Sequence, residues 1–188
     1  MLGMNATTQA DFQDGIAMPG WKTAVGHIAA AGVGFIFLVA GVFKMTVPFL
    51  VQTMFEQLLV PTWGSLPLVV LLGITETLGA ILIFLPKYRR WGAWIITLLL
   101  VAFMGYVGIR YNSLVGRDCS CFPWLKRAVN AAFFFEDGAM LLAAIVAGWF
   151  SRRPAGLRFP AMTLAAVSVL AGGAYAYNLV HQTGIQVP

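Results

Sequence analysis

Long apolar runs alternate with short polar breaks along most of the chain. A helix needs about 20 largely apolar residues to cross the hydrocarbon of a bilayer, and five runs meet or approach that length. Each run should be helical, because lipid cannot satisfy the open backbone groups of an irregular segment. The predicted spans are residues 25–47, 66–85, 91–111, 128–150 and 159–180.

A shorter apolar stretch, residues 49–60, follows the first predicted span and is too short to cross. Its apolar residues fall on one side of a helix, and Gln52, Glu56 and Gln57 cluster on another. This pattern predicts a short helix that lies at the membrane interface or packs on the bundle.

Composition agrees with the pattern. Hydrophobic residues make up 60% of the chain and charged residues 10%, whereas about a quarter of the residues in a soluble domain are charged. A chain of 188 residues is too short to bury that much apolar surface in a soluble core. The fold class is therefore all-α, an integral membrane helical bundle, with a polar segment at residues 1–24 and one transmembrane domain at 25–188. The first span is expected to act as an uncleaved insertion signal.

Basic residues in the short loops predict the orientation. With five crossings, one side of the membrane carries seven basic residues and the other carries three. The richer side should be cytoplasmic, together with the N-terminus, so the loop after the third span faces outward. The net charge of +5 is spread over these loops. No basic stripe with interleaved aromatics is present, so nucleic acid is not an expected partner.

The outward loop holds the only two cysteines of the chain, Cys119 and Cys121, one residue apart. A zinc site normally needs four ligands, and His27 and His181 lie in other helices, so no metal is expected. A disulfide between residues i and i+2 removes little chain entropy and is strained, which makes it a poor staple and easy to reduce.

Three basic residues surround the pair: Arg117, Lys126 and Arg127. Nearby positive charge favours the reactive thiolate, and an outer compartment permits disulfide chemistry. These features favour a redox pair, and two incidental or structural cysteines remain the alternative.

Ionisable residues inside predicted spans are the second feature. Glu76 lies midway through the second span, and Glu136 and Asp137 lie in the fourth. Such groups usually face the bundle interior or pair with one another. Glu76 is either a proton relay or a structural acid, with the two roles equally favoured. Lys44, near the outer end of the first span, is expected to extend its ammonium to the interface.

Two stretches resemble known membrane proteins. Residues 34–44, GFIFLVAGVFK, resemble the F-x-x-A-G-x-x-K opening of DoxX-like proteins. Residues 118–122, DCSCF, resemble the D-C-G-C-F-G loop of the MauE branch, the methylamine-utilisation proteins. Asn130 matches an asparagine at the start of the next helix of that branch, and Glu76 matches an acid in its second helix. The resemblance covers about residues 34–148.

The resemblance implies a four-helix core in a bacterial inner membrane, to which a fifth span and the polar N-terminal segment are added. It also implies that the protein forms or shuttles disulfides beside a periplasmic thioredoxin-like or other redox protein. No cofactor is certain, and a quinone is the candidate. Ser120 and Pro123 replace the two glycines of the family loop, which stiffens it.

Two main hypotheses follow. In the first, Cys119 and Cys121 form a thiol–disulfide exchange or redox-relay centre on the outer face. In the second, the chain is a non-catalytic accessory subunit that stabilises or assembles a larger membrane electron-transfer complex, and Lys44, Arg117, Asn130, Glu136 and Asp137 hold structure or partners. A small transporter is a third hypothesis, favoured only by the charges inside the spans.

Overall fold

The computed structural model describes residues 20–117, 128–151 and 156–183. Cys119, Cys121, Lys126 and Arg127 lie outside the described residues. Within the described ranges the chain forms helices and the turns between them. The helices are α1 (Gly20–Thr46), α2 (Pro48–Gln57), α3 (Thr62–Phe84), α4 (Arg89–Ile109), α5 (Tyr111–Leu114), α6 (Ala131–Trp149) and α7 (Arg158–Thr183).

Five of these helices, α1, α3, α4, α6 and α7, are long and apolar enough to cross a membrane. The predicted all-α membrane bundle is thereby confirmed. Two boundaries differ from the predicted ones for visible reasons. Helix α1 begins at Gly20, and its Trp21 packs edge-on against Phe150 with ring centroids 6.5 Å apart. Helix α6 begins only at Ala131, because Asn130 caps it.

Helices α1, α3, α4 and α6 form a ring in which each packs on the next and α6 returns to α1. Successive spans run in opposite directions, so neighbours in the ring are antiparallel. The buried centre combines a few large side chains with alanines, which let the helix axes come close. Its residues are Ala30, Val33, Phe37, Ala80, Ile83, Ala93, Ile96, Leu100, Ala144 and Ala147.

Two glycines set the closest approaches of the ring. A Cβ on Gly41 of α1 would overlap the hydroxyl and the backbone nitrogen of Thr77 in α3. A Cβ on Gly92 of α4 would overlap the backbone of Ile83 in α3. Helix α3 is therefore in near-backbone contact with both of its neighbours, and Gly41 brings the last turn of α1 against α3.

The remaining helices pack on the outside of this ring. Val51 and Phe55 of α2 are buried against Val69 of α3, so α2 rests on the bundle, one of its two expected positions. Helix α7 packs on α1 and α3, and the Asn178 side chain donates to the Thr46 carbonyl at 2.9 Å. Most of the surface of α7 is exposed, as expected for a helix that lipid surrounds.

The two ends of the bundle differ in charge. One end of the bundle carries the starts of α1, α4 and α7 and the ends of α3 and α6. Tyr88, just before α4, stacks there on Phe159 in the first turn of α7, with ring centroids 4.8 Å apart. We call this end the basic end. Its described cations are Lys22, Lys87, Arg89, Arg90 and Arg158. The opposite end carries α2, α5 and both ends of the segment that holds the cysteines, and we call it the loop end.

Candidate functional site

The two ends of the cysteine-containing segment are joined by backbone hydrogen bonds. The Gly116 N–H donates to the Val129 carbonyl at 3.0 Å, and the Val129 N–H donates to the Arg117 carbonyl at 2.9 Å. Gly116 has a φ of +80°, a conformation that glycine adopts without steric cost. We call this pairing the backbone clamp. It holds the two ends of the cysteine-containing segment together at the loop end of the bundle. We call these joined ends the base of the loop.

The backbone clamp packs on a buried apolar cluster, which we call the apolar floor. Its members are Leu58, Val107, Leu114, Val129 and Phe133. These residues come from the end of α2, from α4 and α5, and from both sides of the α6 start, so the floor joins four parts of the chain. The base of the loop is consequently packed on the bundle as well as hydrogen-bonded to itself.

The C-terminal end of α2 is also tied to the base of the loop. The Arg117 guanidinium donates to the Gln57 carbonyl at 3.0 Å, and the Tyr106 hydroxyl donates to the Leu58 carbonyl at 2.8 Å. The last carbonyls of a helix lack intrahelical partners, so these bonds satisfy groups that would otherwise be left open. The next residue, Leu59, has a φ of +64°, which is strained for a non-glycine residue. This connection could not be predicted from the sequence, because its acceptors are backbone carbonyls.

Two arginines, Arg110 and Arg117, lie at the loop end of the bundle. Arg117 is exposed there. The Arg110 guanidinium lies 5.7 Å from the centre of the Tyr106 ring, a cation–π contact in the first turn after α4. Of the three cations predicted around the cysteines, Arg117 is the one in the described part of the chain.

Three of the predicted structural residues lie at the start of α6. The Asn130 side-chain oxygen accepts the Phe133 N–H at 3.0 Å, so Asn130 is the N-cap of the helix. Asp137 is 2% exposed and points into the bundle, whereas Glu136 lies on the surface. Both acids take part in interactions with other residues.

Lys44 and Glu76 form a buried ion pair between α1 and α3. The Lys44 Nζ lies 2.8 Å from Glu76 Oε2, and the two side chains are 2% and 12% exposed. The expectation that Lys44 extends to the interface is therefore wrong. The aliphatic part of the Lys44 side chain packs against Gly73, where a Cβ added to the glycine would lie 3.2 Å from the Lys44 Cβ. The ammonium points inward because the Glu76 carboxylate lies there. Pairing is the usual solution for charges that a membrane bundle buries.

The Thr77 hydroxyl lies beside this pair. It is buried, has no hydrogen-bond partner among the described residues, and abuts Gly41. The crossing of α1 and α3 thus contains an ammonium, a carboxylate and an open hydroxyl. Such a centre can hold two helices together, and its carboxylate can also hold or release a proton.

A family model matches residues 22–150 of this chain, more than half of its 188 residues. The description of that family is methylamine utilisation protein MauE. The chain belongs to the MauE family. The part matched to MauE includes the four helices of the ring, the ion pair, the cysteine loop and Asn130, and it ends before α7 begins at Arg158. Comparison with curated proteins and with solved structures gives no match.

Proposed function

We propose that this MauE-family chain is a membrane-embedded thiol–disulfide exchange protein that uses Cys119 and Cys121. Family membership indicates a membrane accessory protein of methylamine utilisation, and disulfide exchange is the activity that we propose for it. The observation that carries the proposal is the backbone clamp. It supports an exchange centre because it fixes the base of a short loop that contains both cysteines at one end of the bundle.

The proposed reaction transfers two electrons. A thiolate of a partner dithiol attacks one sulfur of the Cys119–Cys121 disulfide, forms a mixed disulfide and releases the other sulfur as a thiolate. The second partner thiolate then resolves the mixed disulfide. The partner leaves as a disulfide and the chain as a dithiol. Reoxidation passes two electrons and two protons to an acceptor, for which we propose a membrane quinone that becomes quinol.

The surroundings of the loop support this chemistry. Arg110 and Arg117 place positive charge at its base, which favours thiolate over thiol. The apolar floor and the link to α2 restrain the base, so a partner meets a loop on a fixed support. We further propose a relationship to the DoxX-like proteins, supported by the A-G-x-x-K pattern that ends in the paired Lys44.

The orientation is also part of the proposal. We place the chain in a bacterial inner membrane with its N-terminus in the cytoplasm and the cysteine loop in the periplasm. The support is the unequal distribution of basic residues, seven against three. A periplasmic thioredoxin-like or other redox protein is the partner that this orientation allows.

A trapping experiment tests the exchange. The Cys121→Ser and Cys119→Ser variants are expressed separately. In one of them the remaining thiolate should attack the disulfide of an oxidised periplasmic partner, the reverse of the reaction above, and the mixed disulfide should accumulate because the second cysteine that would complete this reverse exchange is gone. The adduct should disappear on reduction and be absent from the double variant. If neither single variant forms a reducible adduct, the exchange proposal is wrong.

The second candidate function is a non-catalytic accessory subunit of a larger membrane complex. The observation that favours it is α7, which lies outside the family match and leaves large apolar side chains such as Val169 and Leu170 exposed. In that case, a chain with both cysteines replaced by serine should assemble the complex and support its activity as the wild type does. Under the exchange proposal the same chain should assemble but fail to mature its partner.

A further inference from the structure

A groove of 370 Å³ opens at the basic end of the bundle, between the start of α4 and the end of α6. Its volume falls within the range of about 300–1,000 Å³ that is typical of small-molecule sites. The disulfide chemistry makes no use of it, because it lies at the end of the bundle opposite the cysteine loop. The lining residues are Arg90, Ala93, Trp94, Thr97, Ala144, Ile145, Gly148, Trp149 and Ser151.

The floor of the groove is formed by small residues and its walls by tryptophans. Helices α4 and α6 meet at Ala93 and Gly148, where a Cβ on the glycine would lie 2.9 Å from the alanine Cβ. Trp94 and Trp149 flank this contact and are 62% and 79% exposed. The result is an apolar channel on the outer surface of the ring, open to lipid along its side, with the shape and chemistry that an acyl chain requires.

Arg90 places a positive charge at the end of the groove nearest the start of α4. Arg90 is exposed and lines the groove, whereas its neighbour Arg89 is buried and donates to the Ile83 carbonyl at 3.2 Å. The basic end has five described cations, and none of the described aspartates or glutamates lies there. The Ser151 hydroxyl donates its hydrogen to the Gly148 carbonyl at 2.6 Å, so it has none to offer an anion. A negative group at this end of the groove is therefore expected to bind at Arg90.

We propose that this groove binds an anionic phospholipid. One acyl chain lies between Trp94 and Trp149, and the phosphate pairs with Arg90. Basic sites between membrane helices on the cytoplasmic side are suited to anionic headgroups. A quinone is a poorer occupant, because its neutral ring gains little from the excess of cations. The groove extends along α4 as far as Thr97, so the remaining twelve residues to Ile109 separate it from the loop end of the bundle by about 18 Å.

Native mass spectrometry of the full chain tests the proposal. The protein is purified into micelles that contain equal amounts of phosphatidylglycerol and phosphatidylcholine, and the ratio of the two retained lipids is measured. The wild type should favour phosphatidylglycerol. Arg90→Gln should lower that preference about fivefold, the effect of one basic residue near an anionic surface. Lys87→Gln is the matched control, because Lys87 is exposed at the same end but does not line the groove.

A second variant tests the acyl channel. Trp94→Ala removes an exposed wall without opening the core, so the chain should fold and retain less of both lipids. The proposal is overturned if the wild type shows no preference, if Arg90→Gln retains the wild-type ratio, or if Lys87→Gln loses the preference equally. It is also overturned if added ubiquinone displaces phosphatidylglycerol from the wild type at equal concentration.

Discussion

Replacing Glu76 with glutamine tests the importance of the buried ion pair. The variant keeps the shape of the side chain and a carbonyl oxygen near Lys44 Nζ, but it removes the negative charge 2.8 Å from the ammonium. The Lys44 side chain is only 2% exposed, so water and lipid headgroups cannot take the place of that charge. The ammonium must then remain inside unpaired, give up its proton or pull α1 away from α3, and each of these costs free energy.

Two energy scales give the expected loss of stability in Glu76→Gln. Removing one partner of a buried ion pair costs about 3–5 kcal/mol. A lysine costs about 2.5–3.5 kcal/mol at the centre of a membrane span on the insertion scale, which is an upper figure for Lys44 in the last turn of α1. We therefore expect Glu76→Gln to lower the free energy of unfolding by about 3 kcal/mol, roughly a hundredfold in the unfolding equilibrium. A double variant, Lys44→Met with Glu76→Leu, should recover most of this loss, because neither charge is then buried.

Unfolding by SDS in mixed micelles, followed by circular dichroism, measures these differences. Thr75→Ala is the control on the same helical turn, because the Thr75 hydroxyl bonds only within its own helix, to Leu71 at 2.9 Å, and should change stability little. If Glu76→Gln is as stable as Thr75→Ala, or if the double variant is no more stable than Glu76→Gln, the unpaired Lys44 does not destabilise the bundle. If the double variant is stable but fails in disulfide exchange, the Lys44–Glu76 pair has a role in the exchange besides stabilising the bundle.

Three further predictions concern packing and capping. Gly41→Ala should lower the free energy of unfolding by about 1–3 kcal/mol, because the new methyl group would overlap α3. Gly32→Ala is the control: its methyl group would meet no atom within 4 Å, so it should be neutral or stabilising in the same SDS assay. Asn130→Ala should lower that free energy by about 1 kcal/mol through loss of the α6 N-cap, and Asn112→Ala, an exposed asparagine, should not change it. Tyr106→Phe should lower it by about 1 kcal/mol. After reduction it should also speed maleimide labelling of the cysteines, because the end of α2, which Arg117 joins to the base of the loop, is then no longer bonded to α4; an unchanged labelling rate would show that this bond does not restrain the loop.

Much of the fold could be predicted from the pattern of apolar runs. Bilayer thickness fixes the length of a span and lipid excludes other backbone structures, so the spans and the short helix α2 followed from the sequence within a few residues. The starts of α1 and α6 were less accurate, because they depend on contacts such as Trp21 with Phe150 and on the cap at Asn130.

The polar interior was harder to predict. A lysine in the last turn of a membrane helix normally reaches the interface, and only its partner 32 residues away in α3 shows that Lys44 turns inward. The link between α2 and Arg117 also left no trace in the sequence, because a backbone carbonyl accepts the bond regardless of side chain. Asn130 could be recognised as important by its family position, and the structure explains it as a helix cap.

Alkylation of the cysteines in intact cells tests the central proposal most directly. A membrane-impermeant maleimide that adds mass is applied before reduction, after a brief exposure to a thiol reductant, and after the reductant is washed away. We expect reduction to make both cysteines reactive from outside, so that two adducts per chain form, and we expect the reactivity to be lost again as the chain is reoxidised. Two adducts at every stage, or labelling only after the membrane is broken, would contradict the proposal.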